Sequence, residues 1–174
     1  MSVTEKLLRV FRVDQQLDGL QGRLRAAERF FEEQSRQVQQ IDAKRDAINA
    51  QLRQLQASTA NYEGEIARVD GRIEALREQM NAARTTKEYK AFLTEANTLK
   101  AERSRSEEAA LELMTKADEL KAQLADLENQ RGEREKLQKV AADDKAKRAE
   151  EIKDRLSELQ AQRERLAAEV PPEA

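Results

Sequence analysis

Adjacent carboxylates are the residues of this sequence that could do acid–base chemistry. They occur in pairs, at Glu32–Glu33, Glu107–Glu108 and Asp143–Asp144. Neighbouring residues of a helix point in different directions, so no such pair converges on one substrate atom. The sequence has no histidine and no cysteine, which excludes Ser-His and Cys-His nucleophiles and zinc sites built from nitrogen and sulfur ligands. We therefore expect no enzymatic activity, no metal site and no cofactor in this chain.

A heptad repeat runs through the first half of the chain, from Val10 to Met80. Mostly apolar residues recur at alternating steps of three and four, the a/d pattern of a left-handed coiled coil. The repeat consists of Val10, Val13, Leu17, Leu20, Leu24, Ala27, Phe31, Gln34, Val38, Ile41, Arg45, Ile48, Leu52, Leu55, Thr59, Tyr62, Ile66, Val69, Ile73, Leu76 and Met80. One helix alone cannot bury so narrow a stripe, so this seam needs a partner helix along its whole length.

The composition favours the same architecture. Only 39% of the residues are hydrophobic, 38% are charged and 3% are aromatic, which is too little apolar material for a thick globular core. The formal net charge of −2 predicts no strong attraction to nucleic acid or anionic lipid. No apolar run is long enough to cross a bilayer, and the first residues lack the apolar core of a signal peptide. We expect a cytoplasmic protein that does not bind membranes.

Two helix-start signals divide the chain into arms of matching length. Ser2 with Glu5, and Thr85 with Glu88, each fit a capping box. We predict an all-α protein, a long antiparallel two-helix coiled-coil hairpin. Its single domain covers residues 1–170, with arm one at about 3–83, the turn at about 82–86 and arm two at about 86–169.

Asn81 is a candidate for the left-handed conformation that ends a helix. Pro171 cannot continue a helix, and residues 171–174 are expected to begin a linker to a missing C-terminal segment. One continuous helix in a parallel dimer is the alternative to the hairpin. For the hairpin we expect a monomer or a weak dimer.

Folding about Thr85 places residue i opposite a residue near 170 minus i. This mapping brings Arg45 near Asp126 and Glu128, and Arg103 near Glu63 and Glu65. It also sets Phe30 and Phe31 opposite Leu137 and Val140.

The second arm is less regular than the first. Its seam keeps the register through Phe92, Ala96, Leu99, Ala110, Leu113, Ala117, Leu120, Leu124 and Leu127. From 130 to 151 the apolar positions thin, and Leu137 and Val140 are shifted by one residue. The seam resumes at Ile152 in a new phase, which predicts a bend or loosened packing near Gly132.

Apolar residues outside the seam indicate where partners could bind. Leu7, Leu8 and Phe11 widen the stripe at the open base of the hairpin, where a partner or a following domain would dock. A thicker contact within the hairpin explains these three residues equally well.

Binding of nucleic acid is a weaker alternative to binding of a protein partner. The most basic stretch, 131–148, is interrupted by carboxylates and contains no aromatic residue for base stacking. Arg84, Lys87 and Lys90 beside Tyr89 form a slightly better candidate at the turn. We do not expect this segment to bind nucleic acid.

The segment Thr85–Glu95 and the later Glu112–Met114 resemble the central signature of a bacterial family. Its members join a long coiled-coil hairpin to a C-terminal four-cysteine zinc ribbon. The opening Leu7–Asp14 and the ending Val170–Glu173 are similar to the first turn of that family and to its junction with the ribbon. Only the region around Lys87–Tyr89 is specific to this family, because the heptads of unrelated coiled coils also resemble one another.

The resemblance implies a non-catalytic adaptor or chaperone role. Relatives act as protein-binding adaptors in flagellar or type III secretion systems, where they contact export components and the nitrogen-type alternative sigma factor. The candidate docking residues at the turn are Thr85, Lys87, Glu88, Tyr89 and Phe92.

The ribbon cysteines are absent from this sequence. We therefore expect this chain to be the coiled-coil part alone. Either the sequence is cut before the ribbon, or this member of the family has lost the ribbon. Zinc is expected only in the missing ribbon. The alternative function that the family implies is a nucleic-acid-binding arm.

Overall fold

The computed structural model describes residues 2–170 and contains two helices in this range, α1 (Val3–Ala82) and α2 (Thr86–Ala168). Residues distant in sequence pair between the helices, as Asp42 does with Arg131 and Asp14 with Arg163. Early residues of α1 thus face late residues of α2, so the two helices are antiparallel. The predicted coiled-coil hairpin is confirmed, and the continuous helix is excluded. The predicted linker at 171–174 lies outside the described residues.

The first capping box is confirmed in full. The backbone N–H of Ser2 donates to Oε2 of Glu5 at 2.8 Å, and the backbone N–H of Glu5 donates to Oγ of Ser2 at 3.3 Å. These bonds satisfy amides that have no partner within the helix. At the other terminus, the N–H of Glu169 donates to the carbonyl of Leu166 at 3.2 Å, which tightens the chain after α2.

The heptad seam of α1 is also confirmed, because each of its predicted positions is buried or half-buried. The packing forms two compact units. The first comprises the residues up to Asp42 and those from Asn129, and the second comprises Ala43–Glu128.

In the first unit, Val13, Leu17 and Leu159 form a buried cluster. Leu20, Leu156 and Leu166 pack against it. In the second unit, the buried side chains are large on α1 and small on α2. They are Leu52, Val69, Ile73 and Leu76 on α1, and Ala96, Ala110 and Ala117 on α2.

The predicted role of Leu137 and Val140 in the seam is wrong. Val140 is 63% exposed and Leu137 is also exposed, whereas Gln138 is half-buried and Ala141 is buried. Phe30 is exposed as well, and Phe31 lies beneath Lys145, whose Nζ is 5.2 Å from the ring centroid.

Polar residues occupy the seam of α2 between positions 131 and 145. Arg131, Gln138 and Lys145 are half-buried and continue the seven-residue spacing from Leu124 to Ile152. Their long aliphatic stems can be covered while their polar ends reach water or a partner. The seven-residue repeat from Leu124 to Ile152 is therefore unbroken on this side of the seam, and α2 continues as one helix through Gly132.

Ion pairs across the seam test the register assumed for the two helices. The predicted proximity of Arg45 to Glu128 is confirmed, since the two form an ion pair. The predicted partners of Arg103 are wrong, because its Nε lies 2.7 Å from Oδ1 of Asp70. Within the second unit, the residue numbers of the paired partners sum to 173 for these two pairs, 170 for Arg68–Glu102 and 167 for Arg72–Glu95, so the pairing varies about the assumed sum of 170.

Candidate partner-binding surfaces

The turn of the hairpin is short and is held by local hydrogen bonds. The backbone N–H of Glu88 donates to Oγ1 of Thr85 at 3.2 Å, so Thr85 is the N-cap of α2 as predicted. Oε2 of Glu88 accepts from the backbone N–H of Arg84 at 3.1 Å, one residue before the donor that a standard capping box uses. Glu88 thus holds the turn together, and its carboxylate is engaged.

The left-handed conformation proposed for Asn81 is wrong. Asn81 lies inside α1, which ends at Ala82, and among the described residues no backbone φ is positive. The N–H of Ala83 donates to the carbonyl of Met80 at 3.3 Å, so a tight final turn ends the helix without a left-handed residue.

We define the tip surface as residues 84–93. Thr85, Lys87 and Tyr89 are exposed, as is Leu93, while Phe92 is half-buried in the seam. Tyr89 lies seven residues before the buried Ala96 and so continues the seam, yet it is 44% exposed. The helix that would cover it ends at Ala82. The tip surface therefore presents an uncovered apolar end of the coiled coil.

Leu93 was not among the docking residues predicted from the sequence. The signal that identifies it is its spacing, because residues four apart share one face of a helix. Leu93 and Tyr89 therefore form one apolar patch on α2.

We define the base surface as Val3, Leu7, Leu8 and Phe11. All four side chains are exposed, and Phe11 is 56% exposed. Val3, Leu7 and Phe11 are spaced four residues apart and share one side of α1. The predicted residues Leu7, Leu8 and Phe11 are thus available for contact, and Val3 extends them by one turn.

A third apolar patch, Leu111 and Met114, was not predicted as a docking site. Met114 borders a groove of about 240 Å³ that is also lined by Thr59, Ala60 and Ala117. The groove exists because small side chains occupy the seam there. Met114 directly follows the seam residue Leu113 and belongs to the Glu112–Met114 segment of the family resemblance, and these are the sequence signals for this patch.

Surface ion pairs and hydrogen bonds shift the pKa values of three groups on the helices. Nζ of Lys116 donates to Oε1 of Glu112 at 2.7 Å, a bond that lowers the pKa of Glu112 and raises the pKa of Lys116. The pKa of Glu33 is also lowered, chiefly by the hydrogen bond from Gln37 and further by Arg36. All of these groups lie at the surface, so the shifts reflect pairing rather than a catalytic environment.

Among residues 2–170, no group of three or more acidic, histidine or cysteine side chains is placed to hold a metal ion. Neither helix is long and apolar enough over the described range to cross a membrane.

Comparison with known proteins identifies the domain. A family model described as the CT398-like coiled coil hairpin domain matches residues 10–173. The structure is similar to that of CT398 from Chlamydia trachomatis, with a TM-score of 0.88 and 18% sequence identity over 98% of this chain and 72% of that one. No curated protein matches the sequence.

Proposed function

Because the chain belongs to the CT398-like coiled coil hairpin domain family, we propose that it is a non-catalytic scaffold that binds a protein partner through the tip surface. The observation that carries this proposal is the exposure of Tyr89 and Leu93 on a turn fixed by hydrogen bonds. A rigid aromatic anchor is a common centre of protein interfaces, since it buries a large area at a small cost in side-chain entropy. The base surface is the second docking candidate.

The partners follow from the family resemblance. We propose components of a secretion export apparatus or an alternative sigma factor, bound in the cytoplasm. Any zinc would belong to a ribbon outside this sequence, because the chain has no cysteine.

One feature favours the nucleic-acid alternative. Tyr89 lies among Arg84, Lys87 and Lys90, and an aromatic side chain among cations can stack on a base near bound phosphates. The alternative predicts binding to single-stranded RNA that falls steeply as salt is raised.

Site-specific photo-crosslinking in cells tests the proposal. The photoreactive residue p-benzoylphenylalanine replaces Tyr89 on the tip surface, Phe11 on the base surface, or Val140 as an exposed control position outside the candidate surfaces. We expect a protease-sensitive adduct from position 89 that is absent from position 140, and its mass identifies the partner.

Other patterns of crosslinked adducts would contradict the proposal in different ways. Adducts from position 11 alone would move docking to the base surface. Nuclease-sensitive adducts at position 89 would establish the alternative function. No specific adduct at either surface would remove the scaffold function.

A further inference from the structure

We infer that the tip surface selects an acidic amphipathic segment of its partner, in which carboxylates flank an apolar side chain. This inference rests on the proposed function and adds the chemical class of the partner. It depends on the charges of the tip surface and on the arrangement of its apolar residues.

The tip surface is locally basic in a chain that is slightly acidic. It has three cations, Arg84, Lys87 and Lys90, and one carboxylate, Glu88, a local net charge of +2 against −2 for the whole sequence. The carboxylate of Glu88 accepts the N–H of Arg84 and so is already engaged in the turn.

The side chains of these three cations form no ion pair within residues 2–170, and all three residues are exposed. On the next turns of the same helix pair, by contrast, Arg72 lies 2.7 Å from Glu95. The positive charge of the tip surface is therefore left for an external group.

The apolar patch lies beside these cations. Tyr89 and Leu93 are one turn apart on α2, and Lys90 lies between them in sequence, three residues before Leu93. A partner with one apolar side chain and carboxylates on either side could contact both features together. Charge complementarity would set the rate and orientation of binding, while the apolar contact would hold the complex.

A peptide fits these residues better than a nucleic acid does. Tyr89 is the one aromatic side chain exposed on the tip surface, and Leu93 beside it has no role in base stacking. Carboxylates match the same cations through charge-assisted hydrogen bonds. RNA is nevertheless included in the test.

Fluorescence anisotropy with the full chain tests the inference. The probe is a labelled twelve-residue peptide of glutamate, leucine and phenylalanine, and the control probe replaces each glutamate with glutamine. A labelled twelve-nucleotide oligouridine is the third probe. We expect the acidic peptide to bind most tightly and the neutral peptide to bind about tenfold more weakly or worse.

The test variant is Lys87→Glu combined with Lys90→Glu. It should weaken binding of the acidic peptide by about tenfold or more, because two attractions become repulsions. Folding is not at risk, since both side chains are exposed and an acidic residue at position 87, in the first turn of α2, is favourable. The matched control, Lys136→Glu with Lys139→Glu, has the same spacing on the exposed face of α2 and should leave binding unchanged.

Several outcomes would overturn the inference. Equal binding of acidic and neutral peptides, or equal loss in both double variants, would remove the charge selectivity. Tighter binding of oligouridine would assign the cations to nucleic acid. A protein adduct at position 89 that survives Lys87→Glu and Lys90→Glu would remove the acidic partner but leave the scaffold function in place.

Discussion

Leu76 and Leu111 are the same residue type in the same unit, yet Leu76 is fully buried and Leu111 is 65% exposed. The difference arises from the seam, where α1 places Leu76 against α2 and α2 turns Leu111 outward. Exposure therefore decides what each leucine contributes to the free energy of unfolding.

We predict that Leu76→Ala lowers the free energy of unfolding by about 2–5 kcal/mol, through lost burial and the cavity that remains. Leu111→Ala is the matched control and should change it by less than about 0.5 kcal/mol. Urea denaturation followed by circular dichroism measures both. Similar losses for the two variants would contradict the assignment of Leu76 to the core.

A second residue-scale prediction concerns the Glu112–Lys116 pair. The lowered pKa of Glu112 adds stability that is present above its ordinary pKa and is lost as the pH falls through the lowered value. The raised pKa of Lys116 adds stability that is present below its ordinary pKa and is lost as the pH rises through the raised value. The pair therefore contributes across the neutral range.

The variant Lys116→Met should raise the pKa of Glu112 toward its ordinary value, because the hydrogen bond and the positive charge are both removed. The control Lys121→Met removes a lysine that instead pairs with Asp118 at 3.0 Å. NMR titration of the carboxyl carbon of Glu112 measures the change. An unchanged pKa in Lys116→Met would show that the pair does not persist in solution.

At the scale of elements, the start of α2 depends on one hydroxyl. Oγ1 of Thr85 accepts the N–H of Glu88, so Thr85→Ala should lower the free energy of unfolding by about 1 kcal/mol. The adjacent Thr86→Ala is the control. It falls inside the helix, where alanine is at least as favourable as threonine.

Denaturation of both threonine variants measures the cap. A loss in Thr86→Ala equal to that in Thr85→Ala would mean that the cap is not what stabilises the turn. A loss of partner crosslinks in Thr85→Ala, with helicity retained, would further indicate that the tip surface binds only when the turn is ordered.

For the whole molecule, the hairpin provides each helix with its seam partner inside one chain. We therefore expect a mass near 19.9 kDa by light scattering at micromolar concentration. The base surface is the place where a dimer would form if one exists, because its apolar side chains are exposed on one side of α1.

The variant Phe11→Ser tests whether a dimer, if light scattering detects one, forms through the base surface. A mass near twice the monomer that returns to the monomer value in Phe11→Ser would place self-association at the base surface. A dimer that persists in this variant would exclude the base surface as its cause.

The sequence by itself determined the heptad seam of α1, the capping residues Ser2 and Thr85, and the hairpin. These features depend on local spacing and on amides that only nearby side chains can satisfy. Leu7 and Phe11 could be named from spacing as well, since they are apolar and widen the seam, whereas Tyr89 was named from the family resemblance around Lys87–Tyr89.

Only the tertiary structure decided which charges pair across the seam, the role of the polar residues in α2, and the exposure of Leu93, Leu111 and Val140. Charge pairing is a property of two helices together, and a shift of a few residues changes the ion pairs without altering either heptad pattern. From the sequence alone, surface positions are predicted for Arg131, Gln138 and Lys145, because their side chains are polar. They become part of the seam only because the partner helix covers their aliphatic stems.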